Sequence, residues 1–391
     1  MNLFDVYPLY NVTPVSAKGI VVTDDKGQEY LDYYGGHAVI SIGHSHPHYV
    51  KRLKDQLDKI GFYSNAVQNP LQVELATRLG QLSDCEDYNL FLCNSGAEAN
   101  ENALKMASFH TGKTRIIAFK NGFHGRTSAA VAATDNEKIN APLNKQQKVS
   151  ILPLNDIDEF AKEITKGDVC GVIIEAIQGV GGLDEPTTKF YLEIAKLCKE
   201  NNVILIADEV QSGFGRSGRF FGFQHHISAM HNGQGSDTGR SRSVQPDIIS
   251  IAKGMGNGFP VGGILIHESI KASYGLLGTT FGGNHLACVA TMAVLEVLEN
   301  ENLIENAAQL EVYFKIKAAE IPQVKRVKGR GLMLGLEFDF EVAELRKKLI
   351  YDQHVFTGGA KDKHVLRILP PLNISKEDID IFFKALKAAL K

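Results

Sequence analysis

The chain has 391 residues, of which 44% are hydrophobic and 22% are charged, the ordinary balance of a globular protein. That length leaves room for two or three domains and a large core, which excludes a small scaffold and argues against wholesale disorder. The net charge of −3 gives no general attraction to nucleic acid or an anionic membrane, so we expect small molecules or further copies of the chain as partners.

The first ten residues lack the basic start and apolar run of a secretory leader. No later stretch approaches the roughly 18 uninterrupted apolar residues of a membrane span. The cysteines are odd in number, scattered and never spaced as Cys-x-x-Cys, which favours a reducing compartment over a disulfide framework or a zinc site. We therefore expect a cytoplasmic protein.

Three histidines lie close together in an early turn, at positions His44, His46 and His48. Pro47 interrupts regular geometry there, and no carboxylate or cysteine lies close by in sequence. We interpret them as solvated or hydrogen-bonded turn histidines and expect no metal site.

Six short apolar runs recur through the middle of the chain. They are continuous rather than alternating, which is typical of strands in a sheet covered on both faces. They span residues 89–93, 115–119, 169–174, 203–207, 247–251 and 261–266. Helical patterns lie between several of them, at 97–109, 157–164 and 190–200. This alternation predicts an α/β fold with a mainly parallel central sheet and helices on both faces.

The segment after the first of these strands begins a helix at Ser95. The amides of Gly96 and Ala97 would then lie at the positive end of the helix dipole, which suits a phosphate group. The spacing of Ser95 and Glu98 is equally that of a capping box, which needs no ligand. The pattern alone supports both interpretations.

A glycine-flanked loop after the second strand carries Phe123 and Arg126. Phe123 could stack on a cofactor ring, and Arg126 could bind a carboxylate through bidentate hydrogen bonds from its guanidinium group. A solvated loop in which Phe123 packs on the core is the alternative.

Asp208 follows five apolar residues at the carboxyl end of a predicted buried strand. A carboxylate there needs a cationic partner, and a protonated pyridine nitrogen would be one. Ligands also gather at the carboxyl ends of parallel strands. An ion-paired or helix-capping aspartate is the alternative.

Residues 225–244 are polar and rich in glycine, serine and arginine, with little apolar material. Such a composition predicts an inserted surface loop. Arg240 and Arg242 could contact a phosphate or a nucleic acid, but without interleaved aromatic residues the signal is weak.

Lys253 ends an apolar strand and enters a turn that contains Gly254, Gly256 and Gly258. Burial lowers the pKa of an amine, as a Schiff-base lysine requires, and glycines let a planar ring approach the backbone. A surface lysine at a strand end is the alternative.

The ends of the chain have a different pattern, with helices predicted at 287–299, 300–320 and 376–390 and one alternating strand at 329–338. We predict a smaller α+β domain built from both termini. The expected division is 1–55 for its first part, 56–288 for a large ligand-binding domain, and 289–391 for a connector helix and its second part. Arg367 lies between apolar neighbours near the C-terminus and needs an anion, either a substrate or an internal carboxylate.

Five motifs occur in the order found in the class III pyridoxal-phosphate aminotransferases. They are Ser95-Gly-Ala-Glu-Ala-Asn100, Phe123-His-Gly-Arg126, Asp208-Glu-Val-Gln-Ser-Gly213, Ala252-Lys-Gly-Met255 and Thr279-Thr-Phe-Gly-Gly-Asn284. From Val12 to the C-terminus the chain resembles this family, and within it the members that act on acylated ornithine. The resemblance implies a fold-type I homodimer with shared active sites and pyridoxal 5'-phosphate bound in the large domain.

In that resemblance Lys253 bonds to the cofactor aldehyde and moves the proton, while Asp208 pairs with the pyridine nitrogen. The other implied cofactor contacts are Ser95, Gly96, Ala97, Phe123, Glu209, Val210, Gln211 and, reaching the phosphate, Thr280 of the partner subunit. Among these, Phe123 and Val210 enclose the ring and Gln211 reaches its phenolic oxygen.

The implied substrate residues are Arg126 for the donor carboxylate, with Thr279 nearby, Arg367 for the keto-acid carboxylate, and Tyr10. Relatives usually carry a glutamate where this chain has Val180. Without that carboxylate Arg367 is more available to any substrate carboxylate, which leaves the amino donor open.

The resemblance therefore implies transfer of the terminal amine of N-acetylornithine or N-succinylornithine to 2-oxoglutarate, in arginine biosynthesis. Ornithine or 4-aminobutyrate as donor, an aminomutase of the same fold, and an inactive ligand-binding relative are the alternatives.

Overall fold

The computed structural model describes residues 1–228 and 244–391. Its strands are β1 Pro14–Lys18, β2 Val21–Asp24, β3 Glu29–Asp32, β4 Tyr88–Cys93, β5 Arg115–Phe119, β6 Val149–Leu152, β7 Val169–Glu175, β8 Ile204–Asp208, β9 Ile248–Ile251, β10 Gly262–His267, β11 Arg326–Arg330, β12 Met333–Glu337, β13 Val355–Phe356, β14 Gly358–Gly359 and β15 Val365–Ile368.

Helices connect these strands and cover them. They are α1 Gly35–Ala38, α2 Pro47–Leu57, α3 Pro70–Ser83, α4 Gly96–Thr111, α5 Ser128–Ala132, α6 Ile157–Ile164, α7 Thr188–Glu200, α8 Gln224–Ser228, α9 His285–Asn300, α10 Leu303–Ala319, α11 Ala343–Tyr351 and α12 Lys376–Ala389.

The central sheet has seven strands in the order β4-β10-β9-β8-β7-β5-β6. Strand β10 runs antiparallel to β4 and β9, while the pairs β9-β8, β8-β7, β7-β5 and β5-β6 are parallel. Strands β5, β7, β8 and β9 are buried along their whole length, because helices cover both faces. The predicted α/β fold with a mainly parallel sheet is confirmed, and the carboxyl ends of β4, β7, β8 and β9 meet at one edge.

Two smaller sheets contain the strands from the chain ends. The first has the order β1-β2-β3-β13, so a strand from the C-terminal part completes the N-terminal sheet. The second has the order β11-β12-β15-β14 and is antiparallel throughout. We propose that these sheets, with their helices, form the smaller domain predicted from both termini.

The antiparallel strand predicted at 329–338 is present, but its bounds are wrong, because this range contains the end of β11, a turn and β12. Strands β11 and β12 pair from Arg326 opposite Glu337 to Arg330 opposite Met333. Gly331 lies in the connecting turn with a φ of 57°, a left-handed conformation that glycine adopts at little cost.

The segment 225–244 is only partly described. Its first residues are not a surface loop, because they belong to α8, where the His226 ring stacks on Tyr191 with centroids 4.8 Å apart. His226 is buried by this contact. The rest of the predicted insertion, with Arg240 and Arg242, lies outside the described residues.

Among the described helices none is both long and apolar enough to cross a bilayer. The three turn histidines each contact a carboxylate that is distant in sequence. His44 pairs with Asp32 at 2.8 Å, His46 with Glu301 at 2.8 Å, and His48 with Glu296. All three are hydrogen-bonded, as the sequence predicts, although His48 lies in the first turn of α2 and not in the loop before it.

Candidate active site

A cavity of about 390 Å³ opens at the edge where the strand ends meet. It is lined by residues that directly follow these strands or begin the next helix, so the fold itself brings distant parts of the chain together. Of the residues predicted from sequence, the lining includes Ser95, Gly96, Ala97, Phe123, Arg126, Asp208, Val210, Gln211 and Lys253.

Lys253 begins a single 3-10 turn directly after β9 and Ala252. Its φ is 48°, in the left-handed region that side chains other than glycine rarely adopt. Burial lowers the pKa of its amine, although the charges of Asp208 and Glu175 work in the opposite direction. Within the described chain no carboxylate oxygen comes within ion-pair distance of the amine, so the amine faces the cavity without a direct partner.

Asp208 ends β8 and is buried. Its Oδ2 accepts hydrogen bonds from His124 Nδ1 and from Asn100 Nδ2, both at 2.7 Å, and its Oδ1 accepts one from the Val210 amide at 3.1 Å. Burial works against a charged His124, but the hydrogen bond and charge of Asp208 hold the pKa of His124 above its usual value. Asp208 is therefore both an ion-paired aspartate and a wall of the cavity.

Helix α4 points its N-terminus into the cavity. The Ser95 side chain caps it by accepting from the Glu98 amide at 3.2 Å, while Glu98 accepts from the amide of Asn94 at 2.8 Å. A Cβ at Gly96 would lie 2.6 Å from Val210 Cγ1, so any larger residue there would displace this lining side chain. The helix is thus capped by its own side chains and still presents free backbone amides to an anion.

One polar atom of the Gln211 side chain has no hydrogen-bond partner. Its Nε2 donates to the His37 carbonyl at 3.2 Å, but its Oε1 is buried and has no hydrogen-bond partner. A buried carbonyl oxygen without a donor is costly unless a ligand supplies one. Phe123 and Val210 line the same cavity, whose volume is large enough for a planar ring.

Glu209 is not brought into the cavity, although it was expected to contact the cofactor. Its buried carboxylate accepts from the Gly222 amide at 2.7 Å, the Phe223 amide at 2.8 Å and the Ser212 hydroxyl at 2.7 Å. Burial raises the pKa of Glu209 to about 7. Its contacts fix the chain that follows β8.

Arg367 is a buried residue of β15 and lies beside the cavity rather than in its wall. Its Nη1 donates to the Gly179 carbonyl at 2.8 Å and its Nε to the Gly359 carbonyl at 2.5 Å. The guanidinium carbon lies 5.8 Å from the centre of the Tyr34 ring. In the described chain no internal carboxylate pairs with it, and Val180 lines the nearby cavity wall. Burial lowers the pKa of Arg367.

Three further predicted residues lie outside the cavity wall. Tyr10 packs its ring edge-on against Tyr351 with centroids 6.2 Å apart. Thr279 accepts a hydrogen bond from Asn94 Nδ2 at 3.3 Å, and Asn94 is a lining residue. Thr280 is exposed. The structure thus places Thr279 next to the site and does not bring Tyr10 to it.

Glu175, His124 and Asn100 line the cavity but were not predicted as site residues. Glu175 ends β7 directly opposite Asp208 in the parallel register. It follows a buried apolar strand just as Asp208 does, so the same sequence signal applied to both. His124 lies inside a motif that was recognised, whereas the contact of Asn100 with Asp208 depends on tertiary packing.

Comparison with known proteins gives consistent matches along the chain. The sequence model of the family "Aminotransferase class-III" matches residues 6–390. The acetylornithine aminotransferase of Bacillus subtilis (strain 168) is 38% identical over 396 residues, covering 100% of this chain and 97% of that protein. The protein of the same name from Aquifex aeolicus (strain VF5) is 38% identical, covering 99% of both chains.

Solved structures share the fold. The crystal structure of the ornithine aminotransferase from Toxoplasma gondii ME49 superposes with a TM-score of 0.86 at 25% identity, covering 98% of this chain and 91% of that chain. A transaminase from Arthrobacter sp., described as S-selective, has a TM-score of 0.88 at 24% identity, covering 100% and 95% of the two chains. The second likeness shows the fold alone.

Proposed function

The chain belongs to the class III aminotransferases, and from this premise we propose that it transfers the terminal amine of N-acetylornithine to 2-oxoglutarate. The products are N-acetylglutamate semialdehyde and glutamate, and the setting is arginine biosynthesis. The observation that carries the proposal is that Lys253 and Asp208, from two neighbouring strand ends, line one cavity beside the N-terminus of α4. N-succinylornithine is a donor of the same chemistry, because only the acyl group differs.

The family is pyridoxal-phosphate-dependent, and the residues of the cavity fit that group. The amides of Gly96 and Ala97 with the Ser95 hydroxyl would hold the phosphate. Phe123 and Val210 would enclose the ring. The Oε1 of Gln211, which has no hydrogen-bond partner, would accept a hydrogen bond from the phenolic hydroxyl of the ring. The bound cofactor supplies an aldehyde that bonds to amines and a pyridinium ring that withdraws electrons from the reacting carbon.

The protein's own groups supply proton transfer and charge. The lowered pKa of Lys253 increases the neutral fraction of its amine, and the neutral amine is the form that can accept and return a proton. The carboxylate of Asp208, held by His124 and Asn100, presents a fixed negative charge to the cavity. Arg126 and Arg367 would bind the carboxylates of donor and acceptor.

We expect Arg126→Ala to raise the KM for the amino donor by roughly 10- to 150-fold, the range that corresponds to about 1.5–3 kcal/mol for a hydrogen bond to a charged group. Arg126 lines the cavity, and its side chain is exposed there. Steady-state kinetics with varied donor at saturating 2-oxoglutarate measures the effect. Arg326→Ala is the matched control, since Arg326 is an exposed arginine that pairs with Glu337 outside the cavity. A KM unchanged by Arg126→Ala would remove this residue from the donor site.

The assembly is proposed as a homodimer. Large apolar side chains are exposed on two neighbouring segments, among them Phe62, Tyr63 and Phe281. The segments are joined by the ring contact of Phe62 with Phe281, whose centroids are 5.5 Å apart, and by Asn65, which donates to the Gly282 carbonyl at 3.0 Å. Exposed apolar patches mark interaction surfaces. Thr280 lies within this patch, as a residue that contributes to the active site of a second copy would.

A cytoplasmic location is part of the same proposal. The five cysteines are buried thiols. Burial raises the pKa of several of their thiols, which keeps them in the unreactive protonated form. A biosynthetic enzyme with reduced thiols fits a reducing compartment.

Free ornithine is the second candidate donor, since no described carboxylate pairs with Arg367 and the guanidinium remains available to substrates of either half-reaction. One experiment separates these donors: the purified holoenzyme is given N-acetylornithine, N-succinylornithine, ornithine or 4-aminobutyrate with 2-oxoglutarate, and glutamate is measured. The highest kcat/KM for N-acetylornithine supports the proposal. A preference for ornithine or 4-aminobutyrate overturns the assigned donor, and product formation without consumption of 2-oxoglutarate indicates an aminomutase.

A further inference from the structure

Glu175 is a buried carboxylate in the cavity wall to which the proposed mechanism assigns no role. It ends β7 and is 7% exposed. Burial raises its pKa to about 7. Burying a carboxylate costs free energy unless it is hydrogen-bonded, so its partners explain why it is tolerated.

Its two oxygens accept hydrogen bonds from two different loops. Oε1 accepts from the Phe123 amide at 2.9 Å, and Oε2 accepts from the Gly179 amide at 3.0 Å. The first loop continues to Arg126. In the second loop the carbonyl of the same Gly179 accepts from Arg367. Glu175 therefore connects the loop of one substrate-binding arginine with the carbonyl that holds the other.

The two loops also touch at their outer end. Gln178 Nε2 donates to the Lys120 carbonyl at 2.8 Å, and a Cβ on Gly181 would lie 2.6 Å from the Asn121 carbonyl oxygen. Glu175 forms the inner connection, next to the ring-binding space. Because Val180 offers no carboxylate on this side, the carboxylates of the described cavity wall are Glu175 and Asp208. The charges of both oppose the lowering of the Lys253 pKa, and that of Glu175 also opposes the lowering of the Arg367 pKa.

We propose that Glu175 is a positioning residue: by holding the amides of Phe123 and Gly179 together, it fixes the spacing at which the cavity receives a dicarboxylate keto acid over the cofactor ring. This proposal deepens the transaminase function above and rests on it. Glu175 acts through the two loops and does not itself touch the substrate.

The test measures binding rather than turnover. Holoenzymes of the native protein, Glu175→Gln and Glu175→Asp are titrated with glutarate, an unreactive five-carbon dicarboxylate, while the absorbance and circular dichroism of the bound cofactor are recorded. A glutamine can accept at one oxygen only, and its amide group would face a second amide donor. An aspartate keeps the charge but is one carbon too short to reach both loops. Both variants should weaken glutarate binding at least fivefold and reduce the cofactor dichroism.

Asp247→Asn is the matched control. Asp247 is a partly buried carboxylate that accepts from the Leu205 amide at 2.8 Å, at the opposite edge of the same sheet. Its replacement should lower the thermal midpoint without changing glutarate affinity or dichroism. Native affinity in Glu175→Gln overturns the proposal, as does native affinity in Glu175→Asp, which would make charge rather than reach the relevant property. An equal loss in Asp247→Asn also overturns it. Failure of the native enzyme to transaminate any donor would instead refute the proposed function.

Discussion

Replacing Lys253 with alanine should lower turnover by at least about 10⁴-fold, the upper range for loss of a general acid–base group, because the variant also loses the amine that bonds to the cofactor. The lysine stands at the end of β9 with its amine facing the cavity. Single-turnover kinetics with N-acetylornithine measure the chemical step directly. Borohydride reduction followed by peptide mapping should attach the cofactor to Lys253 in the native protein and to no lysine in the variant.

Lys328→Ala is the matched control for this experiment. Lys328 is also a buried lysine, but it pairs with Asp184 at 2.7 Å outside the cavity. Its loss should affect stability and leave the reduced-cofactor peptide unchanged. Small primary amines added to Lys253→Ala should restore part of the activity, because they can supply the missing base. Native turnover in Lys253→Ala, or a cofactor attached to another lysine, would refute the assignment. A colourless native protein would favour the ligand-binding alternative.

Asp208→Asn should weaken cofactor binding by roughly 10- to 150-fold, the equivalent of about 1.5–3 kcal/mol for a charged hydrogen bond, and should lower turnover of the fully loaded enzyme as well. The asparagine keeps the shape of the side chain but removes the charge that would hold a proton on the ring nitrogen. It also provides one acceptor oxygen for three donors, the side chains of His124 and Asn100 and the Val210 amide. Equilibrium titration of the apoenzyme with pyridoxal phosphate, followed by absorbance, measures the first effect.

Asp24→Asn is the control that separates the loss of cofactor affinity expected for Asp208→Asn from the general loss of stability when a buried carboxylate is removed. Asp24 is a buried aspartate that accepts from the amides of Lys26 and Gln28, both at 2.9 Å, far along the chain from the strand ends of the cavity. Its replacement should cost stability but not cofactor affinity. If Asp208→Asn bound the cofactor as tightly as the native protein, the proposed pairing with the ring nitrogen would be wrong.

Six of the seven strands of the central sheet were predictable because they appear as continuous apolar runs, and four of them, β5, β7, β8 and β9, are buried along their whole length. The edge strand β6 is only partly buried and was not predicted. Helix α6 was predicted at its observed bounds, since Ile157–Ile164 carries a strong amphipathic pattern and Asp156 caps it by accepting from the Glu159 amide. The hairpin of β11 and β12 was not recognised. Strand β12 is buried along most of its length, so the alternation that would have marked its bounds was not a reliable guide.

Part of the candidate site followed from local sequence, and part did not. Lys253 and Asp208 could be identified because each directly follows an apolar strand. The surroundings of Arg367 could not be predicted, since its partners are the backbone carbonyls of Gly179 and Gly359. Every residue type has a backbone carbonyl, so such an acceptor cannot be recognised in the sequence. The contribution of Thr280 depends on a second copy of the chain and stays a prediction.

The left-handed backbone at Lys253 has a consequence for heat tolerance. That conformation costs any side chain with a Cβ about 1–2 kcal/mol relative to ordinary backbone, whereas glycine adopts it freely. A lysine at this position therefore lowers the free energy of unfolding, and natural or engineered gains in stability must come from other positions. Selection for stability alone at this position would favour glycine, and the resulting protein would fold but would lack the amine that the proposed reaction needs.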